Sequence, residues 1–159
     1  GRGEPVVLRG HQGLVWSVSF SPDGLHVASS GNDGTVRVWD VSGRGEPVVL
    51  RGHQGLVWSV SFSPDGLHVA SSGNDNTVRI WTAAGRGEPV VFQGYGASVE
   101  SVGFGRDGRH LVTTHGDATV RVWRCDVCGP MEEVLELARD RTVRELTADE
   151  RKVLLQTPG

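Results

Sequence analysis

The sequence predicts an all-β protein built from stacked antiparallel units, and two observations carry this prediction. A unit of 42 residues occurs three times, at residues 1–42, 43–84 and 85–126. Short apolar runs recur within each unit, separated by turn residues and without a helical period. A repeat of this length cannot bury its apolar residues alone, so the three units must stack on one another.

Each unit contains four predicted strands, which in the first unit are residues 5–9, 14–20, 26–30 and 35–41. Gly10 ends the first strand, and a Ser-Pro-Asp-Gly turn ends the second. Asp33-Gly34, a strong hairpin signal, separates the third strand from the fourth. Four short runs with such turns predict a four-stranded antiparallel sheet.

The second strand of each unit breaks the alternation of apolar and polar residues once. Val15 and Val18 are three residues apart, where alternation requires two, and a β-bulge is the simplest explanation. The residue inside this bulge is Trp16, and Trp58 and Glu100 are its equivalents in the other units. We expect these three side chains to form an exposed candidate binding rim, because exposed tryptophans are enriched at binding hot spots. The alternative is that the rings wedge between neighbouring units.

Composition and charge exclude several classes of function. The chain has 37% hydrophobic and 22% charged residues, a net charge of -3 and a pI of about 6.1, which is typical of a soluble globular protein. Acids and bases are interspersed, so no basic face is available for nucleic acid. No apolar run approaches the length needed to cross a membrane. We expect a cytoplasmic protein that binds neither nucleic acid nor membranes.

The two cysteines, Cys125 and Cys128, are compatible with half of a zinc site or with a redox pair. A second pair of ligands is missing, and His115, beside a Gly-Asp turn, is expected at the surface. We therefore expect reduced thiols, no bound metal and no cofactor.

Four short motifs recur at fixed spacing in the repeat: a Gly-His pair, a Phe-Ser-Pro-Asp-Gly turn, an Asp-x-Thr-Val-Arg segment and a closing Trp-Asp. In the first unit these are Gly10-His11, Phe20 to Gly24, Asp33 to Arg37 and Trp39-Asp40, and in the second Gly52-His53, Phe62 to Gly66, Asp75 to Arg79 and Trp81. This pattern resembles the WD-repeat β-propeller family. The resemblance implies a propeller of four-stranded blades and a non-catalytic function, most often the binding of another protein.

The resemblance also implies an internal set of hydrogen bonds in each blade, linking a tryptophan, a serine or threonine, a histidine and an aspartate. Here the residues are His11, Ser29, Asp33 and Trp39, then His53, Ser71, Asp75 and Trp81, then Thr113, Asp117 and Trp123. A buried indole N–H needs an acceptor, which gives this set a structural role independent of the family. The third unit has Tyr95 in place of the histidine, so we expect its blade to be the least stable.

Histidine, serine and aspartate are also the residues of a hydrolase triad. Because the same set recurs in successive units, whereas an enzyme needs one pocket, the sequence favours internal bonding over catalysis.

Three blades do not close a ring, since propellers usually have four to eight. Residues 5–9 are a fourth-type strand without a preceding blade, and the repeats end after Trp123 with a third-type strand that lacks its fourth. We expect residues 5–9 to complete the last blade of another chain, and prefer a six-bladed ring of two chains. The alternatives are a cut fragment of a longer propeller, beginning at Gly1, and a purely structural repeat that assembles without a partner.

Residues 127–159 have the composition of a helical extension. Met131, Val134, Leu135 and Ala138 follow helical spacing, and Thr147 begins a capping-box pattern for a second helix. The stretch that begins at Cys125 resembles the ending of bacterial WD-repeat proteins, some of which join propellers to STAND-type signalling ATPases. The resemblance implies a natural C-terminus and a sensor or scaffold module of a bacterial signalling protein.

Overall fold

The computed structural model describes residues 3–93, 96–125 and 128, and it confirms the predicted all-β fold. The strands are β1 (Val15–Phe20), β2 (His26–Gly31), β3 (Thr35–Asp40), β4 (Val48–Arg51), β5 (Val57–Phe62), β6 (His68–Gly73), β7 (Val78–Thr82), β8 (Val90–Phe92), β9 (Val99–Phe104), β10 (His110–His115) and β11 (Val120–Arg124). The two predicted helices of residues 127–159 lie outside the described residues.

The strands form three antiparallel sheets, one for each repeat. The first sheet has the order β1-β2-β3-β4 and the second β5-β6-β7-β8, while the third contains β9, β10 and β11 within the described residues. The outer strand of each four-stranded sheet comes from the following repeat, as the sequence predicts. In the first sheet β4 pairs with β3 through Val36↔Leu50 and Val38↔Val48. This exchange ties consecutive blades together.

The predicted β-bulges are present in all three sheets. The pairing of β1 with β2 shifts register between Val15 and Ser17, and that of β5 with β6 shifts between Val57 and Ser59. In the third sheet the shift lies opposite Glu100. Each bulge releases one residue from the alternation of the inner strand, which turns that residue toward the rim.

The core lies between the sheets rather than within them. One apolar cluster joins the first sheet to the second and contains Ala28, Val36, Val38, Leu50, Val57, Val60, Phe62, Val69 and Trp81. A second cluster joins the second sheet to the third and contains Ala70, Val78, Ile80, Val99, Val102, Leu111, Cys125 and Cys128. Burial therefore depends on each sheet having a neighbour.

Residues 5–9, predicted as a strand that pairs with another chain, form no strand within the single chain. The segment occupies the position that β4 occupies one blade later: a Cβ built on Gly43 would lie 2.7 Å from Val6 Cγ1, and one on Gly85 would lie 2.5 Å from Val48 Cγ1. The difference is that β4 has β3 beside it, whereas no described strand lies beside residues 5–9. Without a hydrogen-bonding neighbour, an extended segment is not a strand.

The tight turn between the second and third strands of each sheet gives a first testable prediction. The equivalent residues Gly34, Asn76 and Ala118 have φ angles of 72°, 60° and 62°. Glycine and asparagine tolerate this left-handed region, but the Cβ of alanine is strained in it. We expect Ala118→Gly to raise the free energy of unfolding by about 0.5–1 kcal/mol in urea denaturation. As the matched control, Asn76→Gly should change it by less than about half of that amount.

Candidate functional site

The first two blades each hold a series of hydrogen bonds that runs from the blade interior to the turn between the second and third strands. In the first blade Trp39 Nε1 donates to Ser29 Oγ at 2.7 Å, and Ser29 Oγ lies 2.8 Å from His11 Nε2. His11 Nδ1 then lies 3.0 Å from the carboxylate of Asp33. This series of hydrogen bonds therefore links β2 and β3 with the segment before β1 and the turn after β2.

The second blade repeats this geometry. Trp81 Nε1 donates to Ser71 Oγ at 2.8 Å, Ser71 Oγ lies 2.7 Å from His53 Nε2, and His53 Nδ1 lies 3.0 Å from Asp75. An indole N–H only donates, so the serine hydroxyl accepts from it and donates its own hydrogen to Nε2. The other nitrogen, Nδ1, then carries the histidine proton and donates it to the aspartate.

The electrostatics fit a neutral histidine and an ionised aspartate. Burial lowers the pKa of His53, against the opposing effect of Asp75. For Asp75, burial would raise the pKa, but the N–H of Gln54 and the hydrogen bonds of Thr77 and His53 outweigh it, so the pKa lies below its ordinary value. The pKa of Asp33 is lowered in the same way, with the N–H of Gln12 opposing the effect of burial.

This arrangement has the connectivity of a catalytic triad but not its accessibility. Ser71 is 0% exposed, and one lone pair of its hydroxyl already accepts from Trp81. A nucleophilic serine must face a pocket that holds substrate. The set therefore acts as internal bonding, which agrees with its repetition in successive blades.

The third blade contains a histidine that the sequence analysis placed wrongly. His115, expected at the surface, is 3% exposed, and its Nε2 lies 2.8 Å from Thr113 Oγ1. Trp123 Nε1 donates to the same hydroxyl at 2.9 Å. His115 thus supplies the imidazole that was expected to be missing, while Tyr95 lies outside the described residues. The prediction of a deficient third blade rested on that missing imidazole.

The imidazole of the third blade comes from a different strand position. His115 is the last residue of β10, where the other two blades have Gly31 and Gly73. A Cβ on Gly73 would lie 3.1 Å from His53 Nδ1. A blade that has the usual histidine therefore has a glycine at this position. The exchange could have been found by aligning the repeats, because the histidine disappears at position 95 and appears at 115.

Asp117 has the same kinds of threonine and arginine partner as Asp33 and Asp75, but its arginine lies closer than the 3.7 and 4.0 Å of the other two blades. Its carboxylate accepts from Thr119 Oγ1 at 2.6 Å and from Arg121 Nη2 at 2.8 Å. In the third blade Asp117 therefore holds the turn and the start of β11 in place.

The candidate binding rim combines exposure with packing. Trp16 packs edge to face on Trp58, with ring centroids 5.0 Å apart, and this contact joins the first two blades. Trp16 nevertheless remains 46% exposed, Trp58 is half-buried and Glu100 is exposed. Trp16 Nε1 also donates to Asn32 Oδ1, a rim residue that the sequence analysis missed. The two tryptophans thus pack on each other across the first two blades, while Trp16 keeps much of its surface exposed.

A second feature missed from the sequence is a pair of serines that joins each blade to the next. Ser17 Oγ accepts the N–H of Val60 at 3.3 Å, and Ser19 Oγ accepts that of Phe62 at 3.1 Å. Their equivalents Ser59 and Ser61 accept, at 3.3 Å each, the N–H groups of Val102 and Phe104 in the third blade. Inner-strand hydroxyls therefore satisfy backbone donors across both joints.

The cysteines correct another prediction. Cys125 and Cys128 form a disulfide instead of remaining reduced, with their Cα atoms 5.3 Å apart and the N–H of Cys128 donating to the carbonyl oxygen of Cys125. Both residues are buried. Within the described ranges, no group of three or more histidine, cysteine or acidic residues is arranged to hold a metal ion.

Stacked antiparallel sheets, each with an internal Trp-Ser/Thr-His set, define a β-propeller-type repeat protein. The chain belongs to the WD-repeat family, because the family described as "WD domain, G-beta repeat" matches residues 4–40, 46–82 and 88–124. In the part of the chain that the structure describes, no helix is long and apolar enough to span a bilayer.

Similar proteins share the repeat but are much longer. Ribosome biogenesis protein erb1 of Neurospora crassa is 58% identical over 36 residues, which are 23% of this chain and 5% of that protein. The corresponding protein of Chaetomium thermophilum is 47% identical over 38 residues, 24% of this chain and 5% of its own length. The solved structure of U3-55K matches with a TM-score of 0.70 and 27% identity, over 77% of this chain and 39% of that one.

Proposed function

We propose that this protein is a non-catalytic module that binds another protein through the rim formed by Trp16, Trp58 and Glu100. The supporting observation is the tryptophan pair, whose ring centroids lie 5.0 Å apart across two blades while Trp16 keeps 46% of its surface exposed. The tryptophans of the internal sets, by contrast, are buried or partly buried. A large exposed aromatic surface on a soluble protein is typical of an interaction site.

The rim is also preorganised. A bulge fixes the backbone at each position, Asn32 holds the Trp16 indole, and the two rings restrain each other. Side chains that are ordered before binding lose little conformational entropy when a partner arrives. Glu100 places a carboxylate on the same edge of the third blade, where it favours a partner that carries basic groups.

The rim is tested by the double variant Trp16→Ala/Trp58→Ala in pull-down experiments with quantified partners. We expect the amount of the main captured partner to fall at least about tenfold, since each aromatic hot spot contributes 2 kcal/mol or more, about 30-fold in affinity. Leu25→Ala/Leu67→Ala is the matched control, because these leucines are exposed but lie at the turns after the inner strands. Capture that is unchanged in the tryptophan variant would reject the rim.

We also propose that the chain closes into a ring by self-association, with six blades from two chains as the preferred form. The support is that each internal joint buries an apolar cluster, while the outward faces of the first and third sheets remain exposed. The expected result of sedimentation equilibrium is a species of twice the 17.1 kDa chain mass. A monomer across the micromolar range would contradict this proposal.

The cellular setting is a further part of the proposal. The resemblance of the stretch from Cys125 onward to the ending of bacterial WD-repeat proteins supports a sensor or scaffold role in a cytoplasmic signalling protein. The relatives named for ribosome biogenesis match over less than one repeat, so their likeness supports a shared blade rather than a shared process.

A further inference from the structure

The two joints inside the chain set out what a joint between blades of this protein requires. Each joint packs the inner strand of one sheet against the back of the preceding sheet, as Val60 and Phe62 of β5 pack on Val36 and Val38. Each joint also has two serine hydroxyls on the preceding blade that accept backbone N–H groups. An apolar contact and a pair of hydroxyl acceptors thus define the joint.

The first sheet presents one half of such a joint to solvent. We call the side that carries Val18 and Phe20 its front face. These residues are 64% and 66% exposed, whereas their equivalents Val60 and Phe62 in the second blade are 5% and 7% exposed. The apolar pair that is buried in the second blade is therefore exposed to solvent in the first blade.

The third sheet presents the other half. We call the side that carries Val120 and Val122 its back face. These residues are 67% and 65% exposed, whereas their equivalents Val36 and Val38 are 0% and 6% exposed. The front face of the first sheet and the back face of the third are thus the two sides of one repeated interface, and they belong to opposite ends of the same chain.

We infer that the front face of one copy packs on the back face of a second copy, head to tail, and that Gly103 makes this joint the weakest in the ring. The inference rests on the proposed self-association. The residues equivalent to Ser17 and Ser19 in the third blade are Ser101 and Gly103. Ser101 accepts one N–H of the incoming strand, whereas glycine has no hydroxyl to accept the other.

The same joint gives residues 5–9 the neighbour that they lack. In the first sheet Val36 pairs with Leu50 and Val38 with Val48. Applied to the third sheet of one copy, the same register pairs Val120 with Leu8 of the second copy and Val122 with Val6 of the second copy. The added strand completes the third sheet and supplies the hydrogen bonds that residues 5–9 lack.

The glycine is tested by measuring the dissociation constant of self-association on dilution. Gly103→Ser should tighten it about 10–100-fold, because a two-chain ring gains two hydrogen bonds and each is worth about 3–10-fold. Gly103→Ala is the control for the added Cβ, which would meet no atom within 4 Å. Ser101→Ala should weaken self-association by a similar factor.

The head-to-tail orientation is tested with two blocking variants. Phe20→Asp closes the front face and Val122→Asp closes the back face, so each alone should be monomeric. A mixture of the two should form a heterodimer, because one unmodified front face can still meet one unmodified back face. Dimers formed by Val122→Asp alone would overturn the orientation, since they would join two front faces.

The outcomes separate this inference from the proposal on which it rests. If the unmodified chain is monomeric, both fall. If it self-associates but Gly103→Ser behaves like Gly103→Ala, the assignment of the weakest joint is wrong while ring closure stands. Gly103→Ser should not disturb the fold, because a Cβ at position 103 would meet no atom within 4 Å.

Discussion

Ser71→Ala is expected to lower the free energy of unfolding by about 2–4 kcal/mol, a large effect for the loss of one oxygen atom. The Ser71 hydroxyl accepts from Trp81 Nε1 and donates to His53 Nε2, at 2.8 and 2.7 Å. Alanine would leave an indole donor and an imidazole acceptor without their shared partner in a buried site. Each unsatisfied group costs about 1–3 kcal/mol, and urea denaturation at fixed protein concentration measures the sum.

The next residue in the chain provides the matched control. Ser72 is also 0% exposed, but its buried hydroxyl has no hydrogen-bond partner. Ser72→Ala makes the same substitution on the same strand without breaking a bond, so it should be neutral or slightly stabilising. If both variants lost the same free energy of unfolding, the loss would come from packing, and the hydrogen bonds of the internal set would not be its cause.

The parts of the fold that the sequence predicted are those set by local chemistry. Asn76 stands in the second repeat at the position of Gly34, in a turn that needs positive φ. The interrupted alternation around Trp16 requires a bulge wherever the strand pairs. Such features depend on neighbouring residues, so a single repeat is enough to reveal them.

The features that the sequence analysis missed depend on where another strand lies. Ser17 and Ser19 read as polar residues of an alternating strand, but their hydroxyls serve the next blade, 43 residues further on. Residues 5–9 have the composition of a strand, yet a strand also needs a neighbour. The disulfide of Cys125 with Cys128 depends on the 5.3 Å separation of their Cα atoms, which the sequence spacing alone did not settle.

The second large effect concerns the exchange of the histidine position between blades. Gly73→His should destabilise the protein by about 3–5 kcal/mol, because its Cβ alone would lie 2.7 Å from the carbonyl oxygen of Leu56 and 3.1 Å from His53 Nδ1. The backbone at Gly73 is not in the positive-φ region, so steric overlap and not strain is the cause.

The double variant His53→Tyr/Gly73→His gives the second blade the pair that the third blade has at positions 95 and 115. We expect it to be more stable than the sum of the two single variants predicts by about 2 kcal/mol, because the new imidazole can reach Ser71 as His115 reaches Thr113. A double-mutant cycle in urea measures this coupling. Additive losses would mean that the third blade accommodates His115 by other changes, and that the two positions are not alternative sources of one imidazole.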